Sequence, residues 1–82
     1  MGYEKVLKAK DIVIGTKQTL RSLEEGNVSE VIVAEDAEKR VVSPVEELAK
    51  AKDVPISYVD SMKKLGKACG IDVGAATVAL KK

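Results

Sequence analysis

Histidine is absent from these 82 residues, and so are phenylalanine and tryptophan. Without histidine there is no imidazole to act as a general base near neutral pH and no imidazole ligand for a metal. Cysteine occurs once, at Cys69, which excludes an intramolecular disulfide and a cysteine-clustered zinc site and suits a reducing, cytoplasmic setting. Two tyrosines are the whole aromatic content, so the core has to be assembled from Val, Ile, Leu and Ala. No apolar run approaches the ~20 residues a membrane helix needs, and no signal-peptide pattern is present, so neither membrane insertion nor export is expected by these routes. GxSxG, Walker A and GxGxxG patterns are missing as well. Acids and bases nearly balance, 13 against 14, for a formal net charge of +1. Any attraction to nucleic acid must therefore come from a local basic patch. These absences argue against an enzyme and against a resident cofactor.

What is present is enough for one small domain, residues 1–82, burying roughly 60% of the surface of its unfolded chain. The 45% hydrophobic content excludes wholesale disorder. Helical and strand patterns alternate with short connections. Residues 3–9 predict a short helix with Tyr3, Val6 and Leu7 on one side, and Ile12–Ile14 a brief strand. A second helix over Thr16–Glu25 buries Leu20 and Leu23 and stops at Gly26-Asn27. Val28–Ala34 is a strand covered on both faces. Glu35–Val42 reads as a loop, followed by a helix start at Ser43-Pro44-Val45-Glu46, with Ser43 as the cap and Pro44 in the first turn. That helix has to end before Pro55. Ile56–Val59 predicts the third strand. A fourth helix, capped by Asp60 or Ser61, carries Met62, Leu65 and Cys69 as its apolar stripe, which makes Cys69 a buried structural thiol. Ile71–Gly74 is a loop and Ala75–Leu80 the last strand. The alternation predicts a three-layer α/β/α domain whose sheet is mostly parallel, or mixed if the last strand runs antiparallel.

Two stretches can carry binding chemistry. In Gly15-Thr16-Lys17-Gln18-Thr19-Leu20-Arg21 a strand ends in glycine and turns at once into a helix, so backbone N–H groups point outward at the helix start. Thr16 is the expected cap there. Lys17, Gln18 and Arg21 then share or border one exposed face, two cations and an amide able to read a hydrogen-bonding edge. The alternative is a plain solvated helix face. Glu35, Asp36 and Glu38 follow a strand end, where ligands of open α/β sheets bind. They can hold a hard cation, or form a solvated turn in which Asp36 bonds local backbone.

Taken in order, four segments resemble one family. They are Gly15–Arg21; Ala34-Glu35-Asp36-Ala37; Val54-Pro55; and Ser61-Met62-Lys63-Lys64-Leu65-Gly66-Lys67-Ala68-Cys69-Gly70. Together they resemble the kink-turn-binding ribosomal proteins of archaeal and eukaryotic ribosomes and guide-RNA particles, above all their small bacterial YbxF-type members. The likeness runs over about residues 4–80. It implies a non-catalytic RNA-binding protein folded as an α/β/α sandwich on a four-stranded mixed sheet. The expected partner is structured RNA bent around sheared G·A pairs, in ribosomal or leader RNA, with the ribosome as a further partner and the protein a cytoplasmic monomer. A regular A-form major groove is too narrow for side chains, so such binding depends on the distortion. The protein would bind the kinked form preferentially and so shift the RNA population towards it.

Carried over to this chain, the resemblance brings Gly15 and Thr16 close to phosphate. Lys17 and Gln18 stand where many members have Asn and Glu. Arg21 replaces Lys and can donate two bonds to a guanine edge. Glu38 would face an extruded nucleotide, with Val41 or Val42 nearby. Met62 occupies a position where the family often has lysine, which leaves Lys63 as the nearest donor. Ile71, Asp72, Val73 and Gly74 match the apolar loop that covers the extruded nucleotide. Lys17, Arg21, Lys63, Lys64 and Lys67 would converge on phosphates. The rival from another class is a ribosome-associated protein-interaction module that uses the 71–74 loop without kink-turn specificity.

Overall fold

The computed structural model of the chain describes residues 6–8 and 11–82. Its elements run β1 (Ile12–Ile14), α1 (Thr16–Glu25), β2 (Val28–Ala34), α2 (Lys39–Ala51), β3 (Ile56–Val59), α3 (Met62–Ala68) and β4 (Thr77–Lys81). Residues 6–8 are helical, while the rest of the helix expected over 3–9, Tyr3 included, lies outside the described residues. Val6 is buried as anticipated, but Leu7 is 69% exposed and does not share its side.

The sheet is four-stranded and mixed, in the order β1-β4-β2-β3. β2 and β3 are parallel, whereas β4 lies between β1 and β2 and runs antiparallel to both. The three-layer, mixed-sheet expectation therefore holds, whereas a mostly parallel sheet does not form, because β4 makes antiparallel pairs on both of its sides. The period of two along each strand sorts the core into two halves. Val31, Val33 and Ala79 face α1 and α2, where they meet Leu23, Val42, Val45 and Ala49. Ile32, Ala34, Val78 and Leu80 face the other way and pack with Val6 and Leu65. Both faces are covered, which is why β2 reads as a nearly unbroken apolar run.

Two local expectations fail. α2 starts at Lys39 rather than after Ser43, so the second half of the anticipated 35–42 loop is the helix's first turn. Val42, Val45 and Ala49 fall on one helical face and are all buried. Winding the extra turn therefore adds Val42 to the core. Pro44 lies inside α2 and deprives the Arg40 carbonyl of its helical donor. Arg40 is at the surface, where water can take that bond. Likewise, Thr16 is not a cap: Gly15 occupies that position at φ 101°, with no side chain bonding the first turn. Smaller shifts affect β4, which begins at Thr77 instead of Ala75.

Ser61 caps α3 by accepting from the Lys64 N–H at 3.2 Å, and Met62, Leu65 and Cys69 do face one core cluster. Cys69 is a free thiol, only partly buried at the edge of that cluster. That burial pushes its pKa above the ordinary thiol range and disfavours the reactive thiolate.

Candidate nucleic-acid interface

Parallel strands end at the same edge of a sheet, and an antiparallel strand begins there. The C-terminal ends of β1, β2 and β3 therefore share one edge with the chain entering β4. That edge collects Gly15–Arg21 after β1, the 35–38 turn after β2, Met62 and Lys63 after β3, and the 71–74 loop before β4. Four segments far apart in sequence become neighbours.

Backbone bonds tie them together. The Gly15 N–H donates to the Thr77 carbonyl at 2.9 Å, the Ala34 N–H to Ala76 at 2.9 Å and the Glu35 N–H to Val59 at 2.7 Å. The Asp36 carboxylate accepts from the Met62 N–H at 2.8 Å. It thereby serves an orphan donor at the start of α3, across 26 positions of sequence. Asp36 was expected to bond local backbone; its partner is instead the next element of the site. From Met62 the connection continues, because its carbonyl accepts from the Ala75 N–H at 3.0 Å.

Gly66 holds the apolar loop in place. It is buried, and a Cβ there would stand 2.0 Å from the Val73 carbonyl oxygen. Helix and loop therefore meet backbone to backbone. The Ile71 N–H donates to the Gly66 carbonyl at 3.1 Å, and Gly74 lies close against Met62, where a Cβ would come within 3.2 Å of the Met62 Cβ. The outcome is a pinned loop that presents Val73 to solvent at 69% exposure, with Ile71 half-buried beneath. Sequence patterning gave no sign of Gly66 as the pivot, since a glycine inside an apolar helical stripe looks like a mere weakness.

At α1, Lys17, Gln18 and Arg21 are exposed as expected. With no capping side chain and no acidic residue in the first turn, the helix start keeps its partial positive charge. Glu38 is at the surface beside Arg40, 2.7 Å from its Nε, so any RNA contact there competes with an ion pair. Of the two valines considered beside it, Val41 is the exposed one and Val42 belongs to the core. Lys64 sits 3.4 Å from Asp60. α1 and α3 cover opposite faces of the sheet, so Lys17 and Arg21 are carried on one face and Lys63, Lys64 and Lys67 on the other, while both helices start at the shared edge. Among the described residues, no group of three or more acidic or thiol side chains is arranged to hold a metal ion.

A cleft of about 460 Å³, unforeseen from the sequence, opens between α2 and β3 over Val33, Ala34, Ala37 and Val42. The Tyr58 hydroxyl donates to Glu46 at its rim. That bond, helped by burial and by the Glu46 and Glu35 charges, raises the Tyr58 pKa above its usual value.

A profile of the Ribosomal protein L7Ae/L30e/S12e/Gadd45 family matches residues 2–82. The chain belongs to this family. Within it, an RNA-binding protein of Halalkalibacterium halodurans is 71% identical over 82 residues, covering 100% of both chains. The RNA-binding protein YbxF of Geobacillus stearothermophilus is 61% identical over 80 residues, covering 98% of each. Among solved structures, the Giardia lamblia 15.5kD RNA binding protein superimposes with a TM-score of 0.86 at 25% identity, covering 98% of this chain and 68% of that one. The resemblance to the kink-turn-binding ribosomal proteins and their small bacterial YbxF-type members, read from the ordered motifs, holds. The same-edge arrangement is thus a feature of an L7Ae-family fold in this chain.

Proposed function

We propose that the protein binds structured RNA, and specifically RNA bent at sheared G·A pairs, whose kinked form it stabilises. One observation carries the reading: an uncapped helix start with Lys17, Gln18 and Arg21 shares a single sheet edge with a pinned loop exposing Val73. The helix start attracts phosphate and offers donors to a base edge. An exposed aliphatic loop gives an extruded base a surface to lie against. The names of the Halalkalibacterium, Geobacillus and Giardia relatives support the RNA partner. The role is non-catalytic, with Gly15, Thr16, Lys17, Gln18, Arg21, Glu38, Met62, Lys63 and Ile71–Gly74 as the contact set. Its setting is the cytoplasm, as a monomer, on ribosomal or leader RNA.

The test is fluorescence transfer between the ends of a kink-turn duplex as protein is added. A control duplex carries Watson–Crick pairs in place of the G·A pairs. Tight binding with shortening of the first duplex alone is expected. Equal, weak binding to both would show that Lys17, Gln18 and Met62 leave no kink-turn specificity. It would favour the rival reading, a protein-docking loop centred on the exposed Val73.

A further inference from the structure

β3 is an outer strand of the sheet, at the side away from β1. The Pro55 carbonyl accepts from the Val31 N–H at 3.0 Å and the Val59 carbonyl from the Glu35 N–H at 2.7 Å. Residues 55, 57 and 59 therefore turn their backbone groups towards β2. The N–H and carbonyl groups of Ile56 and Tyr58 face outward, and among the described residues they meet no backbone partner there. Such an edge is a template for one more strand. Beside it lies the 460 Å³ cleft between α2 and β3, with Val33, Ala37 and Val42 as an apolar floor. Glu35, Glu46 and Tyr58 stand at its mouth, where the Tyr58 ring is 49% exposed. Both carboxylates act on the Tyr58 hydroxyl and raise its pKa, so their negative fields converge there. Among the described residues neither is in an ion pair. Lys39 also lines the cleft, which leaves two carboxylates against one ammonium.

We propose that this edge docks an extended, arginine-bearing segment of a partner protein, which pairs with Ile56 and Tyr58 and lays one arginine in the cleft. Tyr58 pairs with Val33, whose side chain faces α2, so alternate side chains of an added strand fall on that same face, next to the Tyr58 ring. A guanidinium can stack on the ring and bond Glu46, with its aliphatic stem on the valines. β3 has only four residues, so backbone pairing alone is a short grip and the cleft supplies the selectivity. Two carboxylates repel phosphate, and the lining shares no residue with the RNA contact set. The proposal therefore stands apart from the RNA reading and from the 71–74 loop.

The experiment titrates the full chain into a short labelled peptide of alternating valine and arginine, followed by fluorescence polarisation. Amide exchange is read by NMR on the same complex. The peptide should slow exchange at Ile56 and Tyr58, while Ser57 and Val59 are already slow without it. Glu35→Gln combined with Glu46→Gln is expected to weaken binding roughly five- to tenfold. Glu24→Gln, the same charge change on the exposed end of α1, should leave it unaltered, and Lys39→Gln should tighten it. If the double variant melts lower than the unaltered protein, Glu35→Gln alone carries the test, because Glu35 is exposed. Equal losses from Glu24→Gln and the cleft variants would reduce the binding to general charge attraction and overturn the site. A peptide N-methylated at alternate residues that binds as well would overturn strand pairing, and one with glutamate for arginine would overturn the cation. Equally tight binding of N-acetylarginine amide would make the cleft a small-cation site instead of a docking edge. Protection of Ile56 and Tyr58 that grows with protein concentration, without peptide, would assign the edge to a second copy of the chain.

Discussion

Arg21 lies one helical turn after Lys17 on the solvent side of α1, and the two are not equivalent. Arg21 presents a planar fork that can span two acceptors of a guanine, while Lys17 offers a point charge that suits phosphate in any register. Replacing Arg21 with alanine should therefore cost about 1–3 kcal/mol of binding to a kink-turn RNA and relax base preference beside the kink. Titration against matched RNAs differing in that guanine checks this; unchanged affinity would take Arg21 out of the interface. The place of Cys69 on the apolar stripe was legible, but the full burial expected of it does not occur: the thiol is only partly buried at the edge of the core. Asp36 was not legible. Its partner, the Met62 N–H, belongs to a helix that begins 26 positions later. No short-range pattern encodes such a bond.

At the scale of elements, the close approach of α3 to the 71–74 loop governs the site. Alanine in place of glycine normally favours a helix by about 1 kcal/mol. At Gly66 the added Cβ would collide with a backbone carbonyl, and overpacking of that kind costs about 1–3 kcal/mol. The clash should win, because backbone cannot rotate away as a side chain can. Gly66→Ala is expected to lower the melting temperature and also weaken RNA binding by displacing Val73. Calorimetry alongside RNA titration measures both, and a variant that melts higher than the unaltered protein would refute the close packing. α2 shows how local signals mislead. Ser43-Pro44 has the form of a helix start, yet burial of Val42 draws the helix back to Lys39. A short capping motif is worth roughly 1 kcal/mol, which is less than full burial of a valine contributes.

For the whole molecule, function is tied to the stability of a small aliphatic core. A ligand that binds only the folded state at a hundred times its dissociation constant stabilises it by about 2.7 kcal/mol. In a domain of this size each kcal/mol moves the midpoint by about 4–8 °C. Saturating kink-turn RNA should accordingly raise the melting temperature by roughly 10–20 °C. Magnesium or calcium without RNA should leave it unchanged. A rise with the ions alone would instead assign the 35–38 turn a cation.

The sequence by itself determined the layered α/β class, nearly every element, the aliphatic core and the family, because hydrophobic period and ordered motifs are local properties of the chain. It also marked Lys17, Gln18, Arg21 and the 71–74 loop. The tertiary structure alone decided that these segments share an edge, since that depends on β4 running antiparallel between β1 and β2. It also decided that the helices carrying the basic residues, α1 and α3, cover opposite faces of the sheet. Which sheet face a helix covers is fixed by how the crossovers pack, and nothing in the lysine spacing records it. The backbone contact at Gly66 and the Asp36–Met62 bond arise in the same way. Each joins residues that only the folded chain brings within reach.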